Sequence, residues 1–210
     1  MNKYSVLDGL NSADMVGLKN CLEMNEVFFR KGDSIMEFST SGKDIGIVEE
    51  GLVYLISISN AGQENIIDYY EPGGLFGSPL SPHTSVNLFN AVAKKDSRIL
   101  LTNQENIVRT CKKTCEKHIK FINNMIVVLS SRNQMHLDIL SQRTIRDKLR
   151  VYLHYLSEKA ASNEMTLPIS LSDLADYLSV DRSAMMREIR KMNGDGLIRS
   201  KGQSVILMEQ

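Results

Sequence analysis

The sequence predicts an α+β chain: a β-rich N-terminal part, one long helix, and short C-terminal helices closed by a two-stranded wing. Three observations carry this prediction. Between Val27 and Leu101, short runs rich in β-branched and aromatic residues (LVYLISIS, NIIDYY, SRILLT) alternate with glycine-bearing turns. From Glu105 to Leu140 glycine and proline vanish and apolar residues recur every three or four positions. From Ile169 onward two capped helical segments follow each other, and a hairpin comes after them.

In the β-rich part, Gly32, Gly51, Gly62, Gly73, Gly74 and Gly77 mark the turns, and Asn60-Ala61-Gly62 has the composition of a hairpin tip. Many short strands separated by regular turns indicate a small sandwich or barrel. The chain has 210 residues, with 42% hydrophobic and 24% charged residues, which suits one or two globular domains. No apolar run is long enough for a membrane span, and the opening MNKYSVLDGLNSADMV lacks a signal-peptide core. With only three cysteines, the expectation is a cytoplasmic protein without a disulfide framework and with no membrane partner. The net charge is zero, and the balance turns slightly basic only after residue 141.

In the long helix, Ile119, Ile122, Ile126, Leu129, Asn133, His136 and Leu140 follow the alternating three-four spacing of a coiled-coil seam. Phe121, Met125, Val128, Met135 and Ile139 form a second stripe on an adjacent face. A helix apolar on two faces needs two partners: its own β domain and a symmetry mate. The alternative is one broad core-facing helix. Polar Asn133 and His136 late in the seam fit a homodimer, where such residues fix register. The next helix places Ile145, Leu149, Tyr152, Leu153 and Leu156 on one face, before Ser162-Asn163 and Pro168 interrupt the chain.

The segment ISLSDLADYLSVDRSAMMREIRKMNGDGLI, from Ile169 to Ile198, carries the clearest chemistry. Ser170 and Asp173 have capping-box spacing, which starts a helix at about Leu171 with Leu174, Ala175 and Leu178 inward. Ser179-Val180 break it, and Asp181 is a suitable N-cap for the next helix. There Met185, Ile189 and Met192 face inward, while Arg182, Ser183, Met186, Arg187 and Arg190 share the outward face. Two short helices joined by a tight turn, the second rich in arginine, form a helix-turn-helix. Gly194 and Gly196 end it, and Ile198–Leu207 reads as strand, turn and strand, with Lys201 at the tip. The competing explanation is a helical hairpin whose arginines only solvate a surface.

At these residues the sequence resembles the Crp/Fnr family of bacterial regulators. Ile169–Ile198 aligns without a gap on the family's DNA-binding motif, and EEGLVYLISISNAGQENIIDYYEPGGLFG keeps its glycine spacing from Gly51 through Gly62 and Gly73 to Gly77. The resemblance implies a β-roll effector domain of jelly-roll type (residues 1–110), a dimerisation helix (111–140) and a winged helix-turn-helix (141–210). It further implies a homodimer on double-stranded promoter DNA, with RNA polymerase as a further partner. Arg182 and Arg187 match the family's base-contacting arginines, whereas the acidic residue common between them is Ser183 here. A hydroxyl discriminates bases poorly, so the usual target sequence does not carry over. The turn position often held by glycine is Ser179.

Members that bind cyclic AMP hold it with a glutamate and an Arg-Ser pair. Those positions fall here at Ser78 and at Asn87-Leu88, and no arginine occurs between Arg30 and Arg98. A buried cyclic phosphate needs a fixed positive partner. The expectation is therefore an unidentified small effector other than cyclic AMP, in a pocket near Tyr70, Leu75, Phe76, Gly77, Ser78, Asn87 and Leu88. Iron–sulfur members use an N-terminal cysteine group, and only Cys21 stands there. Cys111 and Cys115 lie one helical turn apart, too few for a closed metal site, and His83 or His118 are the candidate haem ligands. The cofactor stays unknown, and no metal is expected. The alternative class is a cupin-like metal-dependent enzyme or a ligand-binding β-roll protein, but an enzyme of that kind needs clustered histidines and the roll contains only His83. No nucleophile–base pair, phosphate-binding loop or dinucleotide fingerprint suggests another enzyme.

Overall fold

A computed structural model describes residues 4–38, 42–59, 62–80, 88–109 and 115–208. The chain divides into two compact units, Met1–Leu129 and Ser130–Gln210.

The first unit opens with a segment from Tyr4 to Leu10 and the helix α1 (Ser12–Cys21). Asn11 caps α1 reciprocally: its side chain accepts from the Asp14 amide at 2.9 Å, and its own amide donates to the Asp14 carboxylate at 3.2 Å. Eight strands follow: β1 (Asn25–Phe29), β2 (Ser34–Phe38), β3 (Asp44–Glu50), β4 (Val53–Ile58), β5 (Glu64–Tyr70), β6 (Leu75–Gly77), β7 (Leu88–Ala93) and β8 (Ser97–Asn103). They pair antiparallel in two four-stranded sheets, ordered β1-β8-β3-β6 and β2-β7-β4-β5. This is the jelly-roll type of β-roll that the glycine framework led us to expect.

Successive side chains of a strand point to opposite faces, and the first sheet uses both. Val48, Phe76 and Ile99 turn inward to meet Val53, Leu55, Tyr70 and Ala91 of the second sheet. Their neighbours Ile45, Ile47, Leu75 and Leu100 turn outward and are covered by Leu18 and Leu22 beside α1 and by Phe121 and Val128 of a later helix. Gly46 lies opposite Phe76 in the ladder, and a β-carbon there would come within 2.5 Å of the Phe76 ring. Only a residue without a side chain lets that ring lie across the strand.

After β8, α2 (Gln104–Val108) is capped by Asn103, and α3 runs from Glu116 to Ser141. The sequence expectation of one helix from Glu105 to Leu140 is corrected here: α2 ends at Val108, and Arg109 adopts an extended backbone with ψ 124°. Tertiary bonds hold the break. The Arg109 guanidinium pairs with Glu23 at 2.9 Å, and buried His118 donates from Nε2 to the Ile107 carbonyl at 2.7 Å.

Asn124 of α3 is almost fully buried and donates to the carbonyls of Val6 and Asp8 at 3.1 and 3.0 Å. Val6 in turn donates its amide to the Gly73 carbonyl at 2.9 Å, so the N-terminal segment ties the β5–β6 turn to α3.

The second unit contains α4 (Ile145–Ala160), β9 (Glu164–Thr166), α5 (Leu171–Tyr177), α6 (Arg182–Gly194), β10 (Ile198–Lys201) and β11 (Ser204–Leu207). The predicted face of α4 is buried at Leu149, Tyr152, Leu153 and Leu156. The wing hairpin β10–β11 forms as expected, and β9, absent from the sequence expectation, adds a third strand by pairing Met165 with Val205. Between α5 and α6, Ser179 holds a left-handed conformation with φ 51°.

Two consequences are testable. Replacing Asn124 by alanine removes the amide that serves the Val6 and Asp8 carbonyls, an expected loss of about 1–3 kcal/mol. Urea unfolding should show it as a lower midpoint with unchanged slope. Ser179→Gly removes the steric cost of a side chain in the left-handed region, set against glycine's greater freedom when unfolded. The expected gain is up to about 1 kcal/mol, seen as a higher melting temperature.

Candidate nucleic-acid interface

The interface candidate is built from two caps and one buried stripe. Ser170 is the N-cap of α5, its hydroxyl accepting from the Asp173 amide at 3.1 Å. Leu174, Ala175 and Leu178 then pack inward. The turn closes with the Val180 amide donating to the Ala175 carbonyl at 3.0 Å, and Asp181 caps α6 by accepting from the Ala184 amide at 2.7 Å. Met185, Ile189 and Met192 are the buried positions of α6, at the spacing read from the sequence.

That registration fixes the opposite face. Arg182, Ser183, Arg187 and Arg190 are exposed, and Met186 is half-buried. The only carboxylate within α6, Glu188, is turned back to α4, where Arg146 donates to it from Nε at 2.5 Å. Arg146 also meets Asp195 at 2.8 Å. The Glu188 carboxylate first, and Asp195 with it, hold the Arg146 guanidinium above its usual range. No ion pair among the described residues occupies Arg182, Arg187, Arg190 or Lys201. The outward face of α6 thus presents three uncompensated guanidinium groups.

Further bonds position this face. Lys148 donates to the Leu178 carbonyl at 2.9 Å and so satisfies the end of α5. Asn193 donates to the Ser200 hydroxyl at 2.7 Å and accepts from the Ser200 amide at 2.8 Å, which joins α6 to the wing. Gln203 ties the wing tip to the carbonyls of Leu167 and Ile169 at 3.2 and 2.9 Å. Sequence reasoning missed Arg146, Lys148, Asn193 and Gln203. Their partners lie 7 to 49 residues away, and nothing in local spacing marks them.

The expected effector residues do not converge. Tyr70 and Phe76 stack between the sheets with ring centroids 5.4 Å apart, whereas Leu75 points to the opposite, helix-covered face. Leu88 is 71% exposed. A single pocket lined by all four is therefore corrected: adjacent residues of one strand cannot face the same cavity. A β-carbon on Gly77 would lie 2.4 Å from the Asp44 carbonyl, and Ser78 is buried at the start of a short 3₁₀ turn, Ser78–Leu80. Asn87, His83 and Cys111 lie outside the described residues. Cys21 and Cys115 are half-buried, and neither is in a disulfide among the described residues. Among the described residues no three His, Cys, Asp or Glu side chains gather as a metal site, and no helix is long and apolar enough to cross a membrane.

On α3 the two stripes separate as the sequence suggested. Phe121, Val128, Met135 and Ile139 are buried. In the other stripe Ile119 and Ile126 are 49% and 55% exposed and Leu140 and Asn133 are exposed, whereas Ile122 and Leu129 are half-buried against the outer core of the roll. His136 is engaged within its own unit, bonded to the Tyr177 hydroxyl at 3.0 Å.

Comparison with known proteins agrees with this architecture. Residues 26–114 match the cyclic nucleotide-binding domain, and residues 147–209 match the Crp-like helix-turn-helix domain. The nitrogen fixation regulation protein FixK of Bradyrhizobium diazoefficiens is 24% identical over 82% of this chain and 73% of its own length. The transcriptional activator protein FnrA of Stutzerimonas stutzeri is 22% identical over 95% of this chain and 83% of its own. Among solved structures, a CooA variant from Carboxydothermus hydrogenoformans superposes with a TM-score of 0.70 at 18% identity, covering 95% of this chain and 94% of that one. FixK2 from Bradyrhizobium japonicum does so at 0.66 and 19% identity, covering 89% and 93%. The two matched domains occur in the order of the two units and together take up most of the sequence: the chain belongs to the Crp/Fnr family of DNA-binding transcription regulators.

Proposed function

We propose that the protein acts as a two-fold dimer on a pseudo-palindromic promoter site, with α6 in the major groove of each half-site and an effector other than cyclic AMP setting its affinity. The observation that carries the reading is the unpaired arginine face of α6, kept cationic because Arg146 neutralises Glu188. Arg182 and Arg187 are the base-reading pair, since a guanidinium matches N7 and O6 of guanine with two bonds. Met186 offers an apolar contact for a thymine methyl, while Ser183 accepts several bases. Arg190, Ser170 and Lys201 serve the phosphate backbone, which positions the protein without reading sequence.

Residues 111–140 supply the dimer contact in this reading. Ile119 and Ile126 support it, because each leaves about half of a large apolar residue in water when the chain is alone. Asn133 and half-buried His136, which also bonds the Tyr177 hydroxyl, continue the same stripe. An effector other than cyclic AMP is supported by the missing arginine between Arg30 and Arg98 and by the apolar filling between the sheets. RNA polymerase is the further partner expected of a regulator at a promoter.

Selection of sites from random duplex DNA tests the reading. Paired half-sites about one helical turn apart, or a multiple of that, are expected; recovery of single asymmetric sites overturns it. Within a half-site, Arg182→Ala or Arg187→Ala should relax specificity at one base pair by about 1–3 kcal/mol. Lys201→Ala should weaken all sequences alike and reduce the salt slope by about 1. Ile126→Glu places an unpaired charge in the seam, so light scattering should show a monomer and operator binding should disappear with it. A variant that stays dimeric refutes the seam.

A further inference from the structure

Beneath α6 the C-terminal unit is not filled. A cavity of about 220 Å³ opens between α4, α5, α6 and the wing. Its walls are the buried side chains of Leu149, Leu153, Leu174, Ile189 and Val205. Asn193 and Ser200 also reach it, but they are bonded to one another. Among the described residues Arg190 is the only ionisable one on its lining, and no ion pair among them occupies that guanidinium.

An apolar cavity of about 150 Å³ stays dry and takes up benzene, and a water needs two to four polar partners to enter one. This cavity is larger, and its two neutral polar side chains already have partners. Its chemistry therefore favours an apolar body over water. The lone cation on the lining adds a second requirement, one negative charge on that body. At about 30 Å³ for each water-sized group, the volume holds on the order of seven or eight heavy atoms, which is room for a hydrocarbon tail with the charged group left at the mouth beside exposed Arg190.

We propose that the winged-helix unit binds a medium-chain carboxylate, with its tail among Leu149, Leu153 and Val205 and its carboxylate on Arg190. Ligand binding at this site does not depend on the promoter reading. Its consequence does: a carboxylate on Arg190 cancels one charge of the face that meets phosphate, so the ligand releases DNA.

The probe is octanoate, titrated calorimetrically into the full-length protein, with 1-octanol as the neutral control. Saturable one-to-one binding of octanoate in the sub-millimolar range is expected. Arg190→Gln should weaken octanoate at least tenfold and change octanol less than twofold. Leu171→Phe, which enlarges a lining side chain, should weaken both; its fold is checked by circular dichroism. Failure of octanoate to saturate overturns the proposal, as does equal octanoate affinity in Arg190→Gln. Unchanged binding in a folded Leu171→Phe variant overturns it as well, by placing the ligand elsewhere. Fluorescence anisotropy with operator DNA separates the two readings. Octanoate that binds as expected without weakening DNA leaves the site standing and removes Arg190 from the phosphate contacts, whereas a protein that binds no DNA at all refutes the promoter reading alone.

Discussion

In the sheet β1-β8-β3-β6, the strands β8, β3 and β6 bury both of their faces, and most of the first unit follows from that. A sheet apolar on both sides must be covered twice. Inward, Val48, Phe76 and Ile99 are covered by the second sheet; outward, Ile45, Ile47, Leu75 and Leu100 require helices. Phe121 and Val128 of α3 answer that requirement, which commits one stripe of α3 to its own chain. Ile122 and Leu129 of the second stripe lean on the edge of the same core, so Ile119 and Ile126 are the members left to water. The exposed apolar face of α3 is thus a by-product of how the roll is covered.

In the second unit the governing constraint is charge. A helix with three outward arginines gains from a nearby carboxylate, and Glu188 lies one residue after Arg187. Were it turned outward, it would partly cancel the field that attracts phosphate. Its pairing with Arg146 moves that negative charge to the α4 side and anchors α6 against α4 at the same time. Asp195 shares the same guanidinium, so one cation absorbs two carboxylates. The buried residues Met185, Ile189 and Met192 set the rotation of α6 about its axis, and the ion pair keeps the acidic residue off the cationic face.

Legibility in the sequence divides along the same physical line. Features set by neighbours in the chain were readable: the caps Ser170 and Asp181, the stripe Met185-Ile189-Met192, the wing, and the two faces of α3. Features set by distant partners were not. The break at Arg109 lies inside a run with helical periodicity, and its causes, Glu23 and His118, belong to other elements. The strand β9 has only three residues and exists by pairing with β11. Gly46 was passed over because it marks no turn; its role depends on a ring facing it across the ladder. Of the expected effector residues, Leu75 and Phe76 are neighbours on one strand, and alternation sends them to different cores.

The N-terminal segment shows how a short irregular stretch can matter to both the roll and the helix. Val6 uses its amide on the Gly73 carbonyl and its own carbonyl on Asn124, so one residue is bonded to the β5–β6 turn and to α3. Gly73 stands two residues before β6, whose last residue, Gly77, packs its backbone against Asp44 without space for a β-carbon. A displacement of β6 along its own direction must therefore break the Val6–Gly73 bond or carry Val6 with it. Carrying Val6 loads the Asn124 amide, since that group supplies both Val6 and Asp8. Its carbonyl oxygen is buried without a partner, so Asn124 has no second bond with which to compensate. The cost of moving the turn thus falls on Asn124, which lies between Phe121 and Val128, the two buried residues by which α3 covers the roll.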